Sequence, residues 1–559
     1  MNLKEPLRSI LTPAVLFTLL LIPTSYAQPL AFPGAEGWAA ATPGGRGGAV
    51  IKVTNLDADG PGSLKAALEA EGARTVIFDV GGIIDLAGTS LVIENPFITV
   101  AGQSAPYPGI TIIDGGIEIR GCNDVIIQHI RVRPGAARHS TEIGVWEPDG
   151  ISTNFSNHVI VDHCSISWGV DENLSASGPR FDGANVEEWR SNTSRQITFS
   201  NNIVAEALFE ATHGDGMHSR ASLLHDNTTE IAIIKNLYAH NNRRSPLFKA
   251  GARGVVMNNV VYNPGQLAMH YSSVATEWAE ALGTIGTPPD ALLSVVGNNL
   301  VWGPNNHPID NPVPMFVTLD EFPGIPELAE SVFLKLFLED NARFDHTGTL
   351  NPDLPELTNH LGEPAPQYVV TEKPIWNDNF VQLSASELPD YLASNAGARP
   401  WEADPVDDRI VADWQNRTGS LINFETDVGG FPVRPSTSRS PEFDGDNDGM
   451  PDAWERLKGL NPDEADHNGT DLDATGYTNV EVYLHELNAL GTSNSPAIAI
   501  SSADEGYDLT WTNIPNNGHL QISSDMTQWS LFADASIAGI QGFNITENDR
   551  VFLRWKPID

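Results

Sequence analysis

Cysteine is nearly missing from this chain: Cys122 and Cys164 are the only two among 559 residues. A single pair is too few for a disulfide scaffold, and the two fall at opposite ends of their strand patterns, so buried free thiols are expected. Basic residues are scarce as well, with 32 Lys and Arg against 72 Asp and Glu and a formal net charge of −40. That balance excludes nucleic acid as a partner. It also means that an anionic ligand could be held only where the few cations are gathered in one place. Past the first 27 residues no apolar run is long enough to span a bilayer, so no membrane partner is expected. The N-terminus is the exception: Lys4 and Arg8 precede an apolar stretch over 10–22 and a small-residue site at Ser25-Tyr26-Ala27. This is the pattern of a secretory signal over 1–27, and it predicts an exported, soluble monomer.

What the chain has in quantity is short β-branched strands. VIIQHIRV at 125–132, VIVDHCSI at 159–166, ITFSNNIV at 197–204, IAIIKNLY at 231–238, VVMNNVVY at 255–262 and LSVVGNNLVW at 293–302 recur without a long helical pattern between them. Such spacing predicts an all-β solenoid in which each turn packs only on its neighbours. Asn202, Asn236, Asn259 and Asn299 close their strands at matching places and are expected to stack as an amide ladder. Near the start, Ser63 before Leu64, Ala67 and Leu68 reads as a capped amphipathic helix covering the first turn. Apparent helices over 325–338 and 406–414 follow the strands, and RPSTSRSP at 434–441 has the composition of a linker.

Two acidic groupings suggest cation sites. Around the strand patterns at 150–154 and 158–164 stand Glu147, Asp149, Asp171 and Glu172. Carboxylates brought together at strand edges make an oxygen-lined site suited to Ca2+. Further on, DGDNDGMPDAWE at 444–455 fits the helix–loop calcium motif. Asp444, Asp446 and Asp448 occupy its first, third and fifth positions, Gly449 the sharp turn, Met450 the carbonyl position and Glu455 the bidentate position. A weaker loop at 471–482 has Val482 where the bidentate acid belongs, with Glu481 beside it. The module is bounded at 442–492, and a small β domain carrying Trp511, Trp529 and Trp555 is expected over 497–559. Those tryptophans fit a buried core or, exposed, a sugar-binding face.

The block VIVDHCSISWGVDENLS at 159–175, with GPGSLKAAL and AGQSAPYPGITI before it, resembles the pectate lyases of polysaccharide lyase family 1. The similarity runs from about residue 31 to about 303, with a family-like tail to about 432. It implies a right-handed parallel β-helix over 28–303 and a tail over 304–433 packed on it. It also implies Ca2+-assisted β-elimination of an acidic polysaccharide, pectate or polygalacturonate. Asp149 lies thirteen residues before Asp162, and Asp171 eight after His163, where the family places calcium ligands. The family's fourth acid falls on Ser175, so Glu172 and Glu147 are the remaining candidates. NNRRSPLFKAG at 241–251 is similar to the family's R-x-P-x-x-R segment. The match implies Arg244 as the base and Lys249 as a substrate clamp, with Arg243 beside them. The family's substrate lysine falls on Phe209 or Glu210, and the following insert offers His213, His218 and Arg220 instead. Arg131 and Arg133 are expected to extend the basic side of the groove, and Asp162 and His163 to join neighbouring coils. The alternatives are a glycoside hydrolase on the same fold, which needs two carboxylates and no cationic partner, and a glycan-binding protein without activity.

Overall fold

The computed structural model describes residues 29–559 except 275–276, 279–280, 282–287, 307–312, 322–332, 471, 473–474 and 493–496, and after 496 it describes backbone strands alone. The leader over 1–27 therefore lies outside the described residues. Among those described, short strands stack into sheets of nine, ten and ten members, and the coils pair with one another in parallel throughout. One coil shows the unit: Ile151–Asn154 in the first sheet, Asn157–Asp162 in the second and Ser165–Ser167 in the third, after which Leu174–Ser177 returns to the first. The inward residues Ile151, Val159, Val161, Ile166 and Leu174 are fully buried in one continuous core. Each coil covers the apolar end of the last, which is why the strands can be so short.

The expected helix is Leu64–Glu69, its first turn capped by Ser63 Oγ, which accepts from the Ala66 N–H at 3.2 Å. It buries Leu64, Ala67 and Leu68 against the first coil, closing that end. At the other end the sheets continue past residue 303 through Leu334–Glu339, Ala342–Phe344 and Leu357–Asn359. Leu334–Glu339 corrects the expected helix over 325–338 in its second part. LKLFLE alternates, and it pairs residue by residue with Ala291–Val296. The first part of that segment lies outside the described residues.

The amide ladder is present with one correction. Asn202, Asn236, Asn259 and Asn298 each pass a side-chain N–H to the next asparagine's oxygen at 2.9–3.1 Å, the last to Asn341, which donates to Val295 O at 3.0 Å. Asn298 replaces the expected Asn299, because the ladder residue directly follows a left-handed residue in each coil: Asn201, Lys235, Asn258 and Gly297. Asn299 instead donates to Ala385 O. Cys164 occupies the same place one coil earlier, its N–H on Asn202 Oδ1 at 2.8 Å, and both cysteines are buried and free.

In the tail, Pro405–Asn416 is a helix whose N-cap, Asp404, accepts from the Val406 and Asp407 N–H groups. Asp404 and Asp407 are buried against Arg131 and Arg133, with contacts of 2.9 Å from Arg133 to Asp404 and 3.3 Å from Arg131 to Asp407. Arg131 and Arg133 thus do not line a groove, as expected from sequence; they pin the tail helix to the third sheet. The stretch at 434–441 is also held down, since Thr437–Ser438 pairs antiparallel with Val80 and Gly81. Beyond 496, two three-stranded antiparallel sheets form, one from 497–503, 506–512 and 541–543, the other from 518–523, 530–534 and 552–557.

Candidate active site

The turn between the third sheet and the first gathers the chemistry. Ile151 pairs with Leu174, so two residues earlier Asp149 stands beside Glu172; Glu172 then bridges to Arg220, and Arg220 to Arg243. Successive coils therefore present two acids and then guanidinium groups along one line. The backbone can pass this closely only because residue 150 is glycine: a Cβ there would lie 2.2 Å from Ile166 and 2.4 Å from Asn173 O.

Asp149, Asp171 and Glu172 bring carboxylate oxygens within 4.8 Å of one another. Asp149 accepts the Glu172 N–H and the Ser175 hydroxyl, each at 3.0 Å. Ser175, where the resemblance places a fourth acid, thus donates a hydrogen bond to one of the carboxylates. Burial, and then the neighbouring Asp171 charge, push the Asp149 carboxyl up to about 7. Such crowding of acids is relieved by a cation, and an all-carboxylate donor set suits a hard one. Glu147 stands outside the trio and accepts the Gly214 N–H at 2.6 Å. Asp171 is held by imidazoles: His218 Nε2 is 2.9 Å and His213 Nε2 3.6 Å from its Oδ1. His218 is buried, which lowers its pKa against the opposing pull of Asp171, the acid its ring meets.

Arg244 reaches across two coils to Glu172. Burial lowers its pKa, opposed by Asp171, Asp149 and Glu277, in the direction that a basic guanidine requires. Arg220 is lowered too, to about 10, by burial and by the charge of Arg243; its Nε and Nη1 are buried with no hydrogen-bond partner. Arg243 Nε donates to Gln266 Oε1 at 2.7 Å. Lys249, on the strand Leu247–Lys249, is mostly buried with its Nζ 2.6 Å from Glu277. Asp162 joins coils as expected, accepting from Ser200 at 2.7 Å, Asn201 at 2.9 Å and Gln128 at 3.0 Å.

A second acidic cluster lies on the 444–455 loop. Asp444, Asp446 and Asp448 converge, as do Asp448, Glu455 and Asp466; Asp466 was not anticipated, being eleven residues beyond the motif. Both Glu455 oxygens and Asp446 Oδ2 are buried without a partner. Burial and the surrounding acids push Glu455 up to about 8 and Asp446 to about 6. Glu481, beside the weaker loop, is engaged otherwise: it accepts from Arg46 at 2.8 Å and from the Thr478 N–H at 2.9 Å.

The pectate lyase family profile matches residues 8–282. The probable pectate lyase C of Aspergillus flavus is 32% identical over 486 residues, spanning 85% of this chain and 98% of its own. The protein of the same name from Aspergillus oryzae gives the same identity and coverage. Among solved structures, the pectate lyase Bsp165PelA from Bacillus sp. N165, in complex with trigalacturonate, is 16% identical with a TM-score of 0.41, covering 65% of this chain and 98% of that one. The chain is thus an enzyme of the polysaccharide lyase class. It belongs to the pectate lyase family.

Proposed function

We propose that the protein cleaves pectate by β-elimination, with Asp149, Asp171 and Glu172 holding Ca2+ and Arg244 acting as base. The observation that carries this is the line of two acids and then guanidiniums on adjacent coils. The trio's oxygens fit the ion, which when bound would neutralise the uronate carboxylate and the charge growing on it as the proton leaves. Arg244, made less basic-bound by burial, takes the C5 proton onto a guanidine nitrogen. The C5–H electron pair forms the C4–C5 double bond, and the C4–O bond breaks toward the leaving sugar oxygen. Arg220 meets the uronate carboxylate with its unpartnered N–H groups, and Arg243 and Lys249 add positive charge beside it. An acidic ligand in so acidic a protein needs this local excess of cations.

Calcium is also assigned a structural place in the 444–455 loop, held by Asp444, Asp446, Asp448, the Met450 carbonyl and Glu455. The two unpartnered Glu455 oxygens support it. Met450 itself packs with Ala101, Val480, Tyr483 and Leu484, joining the module to an early coil.

The test is polygalacturonate with and without calcium, read both by ultraviolet absorbance of an unsaturated sugar end and by new reducing ends. Both should rise together, and Arg244→Ala should lower the rate by about 10²–10⁴-fold. Reducing ends without absorbance would mean hydrolysis and would sink the proposal.

A further inference from the structure

The loop that carries His213 and His218 packs on Asp171, one of the acid trio. It is closed at its base by His218 N–H on Phe209 O at 2.7 Å, and docked by Thr212 Oγ on Trp146 O at 2.6 Å and by the Gly214 N–H on Glu147 at 2.6 Å. The two imidazoles stack with centroids 3.6 Å apart and planes 12° from parallel, and both direct Nε2 at the same oxygen of Asp171. Together with Asp171 they could be taken for a metal site, since the three groups lie within 4.8 Å of one another. The tautomers argue otherwise. The Asp215 N–H donates to His213 Nδ1 at 3.1 Å, so the ring proton of neutral His213 is on Nε2, facing Asp171. His218 Nε2, 2.9 Å from a carboxylate, is likewise a donor, and its Nδ1 is buried without a partner. Neither Nε2 offers a lone pair to an ion; each offers a proton to the acid.

We propose that His218, braced by the stacked His213, is a positioning residue that fixes Asp171 as a calcium ligand. The imidazoles hold Oδ1 of Asp171, whose carboxylate also lies within 4.8 Å of those of Asp149 and Glu172. Asp171 needs such a hold because its side chain is 40% exposed, whereas Ser175 and a backbone amide already restrain Asp149. An unrestrained carboxylate would have to be ordered by the ion itself, at a cost in affinity. His218 thus works through Asp171 and not by contact with the sugar, a task left to Arg220 at the end of the same insert.

This inference rests on the calcium reading of the trio, and the experiment separates the two. Calorimetric calcium titration of the full chain should show two sites, one in the 444–455 loop and one in the groove. His218→Ala should weaken the groove site, and raise the calcium concentration giving half-maximal cleavage, by about 10-fold. The loop site should be unmoved, and kcat at saturating calcium should stay within about 3-fold of wild type. Gln places an N–H donor near the position of Nε2, so His218→Gln should restore most of the lost affinity. Should His218→Ala bind calcium normally while Asp171→Asn loses the groove site, the positioning role is wrong and the groove reading stands. Failure of His218→Gln to rescue would mean a packing role and would also overturn it. If Asp171→Asn leaves the groove site intact, the calcium reading itself falls.

Discussion

Arginine has two fates in this protein, and the local sequence does not tell them apart. Arg131 and Arg133 sit on a strand much as the groove cations sit on their turns, yet both are fully buried against Asp404 and Asp407 from more than 270 residues away. Where the tail helix would land was not legible in the strand that receives it. Arg133→Ala leaves two buried carboxylates short of a partner and should cost about 3–5 kcal/mol in urea denaturation. Arg220 is the opposite case, because its buried Nε and Nη1 have no protein partner to strand. Arg220→Leu should leave the urea midpoint unchanged or raised, while KM for polygalacturonate rises about 10-fold, near 1.4 kcal/mol. The trio of acids was legible from sequence because Asp149, Asp171 and Glu172 flank consecutive strands. Glu147 was drawn to the same site by proximity in sequence, but its carboxylate holds the His213 loop instead, accepting the Gly214 N–H.

Among the elements, the ladder shows what strand patterns can and cannot convey. That asparagines would stack was readable from their recurrence. Which of Asn298 and Asn299 joins depended on the left-handed residue that turns the corner, Gly297 in that coil. The strand Leu334–Glu339 was misjudged for a related reason: helical periodicity in the preceding residues masked an alternation of six. Asn236 sits inside the ladder, giving to Phe199 O and Asn259 Oδ1 and receiving from Asn202. Asn236→Ala strands buried groups on both neighbours and should lower stability by about 2–4 kcal/mol in urea denaturation. Asn299→Ala, outside the ladder, should cost clearly less in the same measurement.

For the whole molecule, calcium should act on stability separately from chemistry. Without an ion, Glu455 is pushed from an ordinary 4.5 to about 8 by burial and by Asp448, Asp446 and Asp466. A carboxyl whose folded pKa is raised contributes stability fully below its unfolded value, near 4.5, and loses it as pH rises through about 8. The chelated protein should therefore melt at progressively lower temperature between about pH 5 and 8, and the rise in Tm on adding calcium should widen over the same range. Glu455→Gln should flatten that dependence without altering the calcium demand of cleavage. A pH-independent calcium effect on Tm would count against the loop as its origin.

The two-residue strand Thr437–Ser438 covers Val80 and Gly81, the outer edge of the third sheet, and Thr437 bonds Tyr107 O, 330 residues earlier in the chain. An uncovered edge invites strand addition from another chain. A ribosome adding about 5–20 residues each second needs some tens of seconds to reach that cover after the opening coils emerge. The growing polypeptide is therefore most prone to self-association early in its synthesis, and a translation product halted short of residue 437 keeps that vulnerability for good.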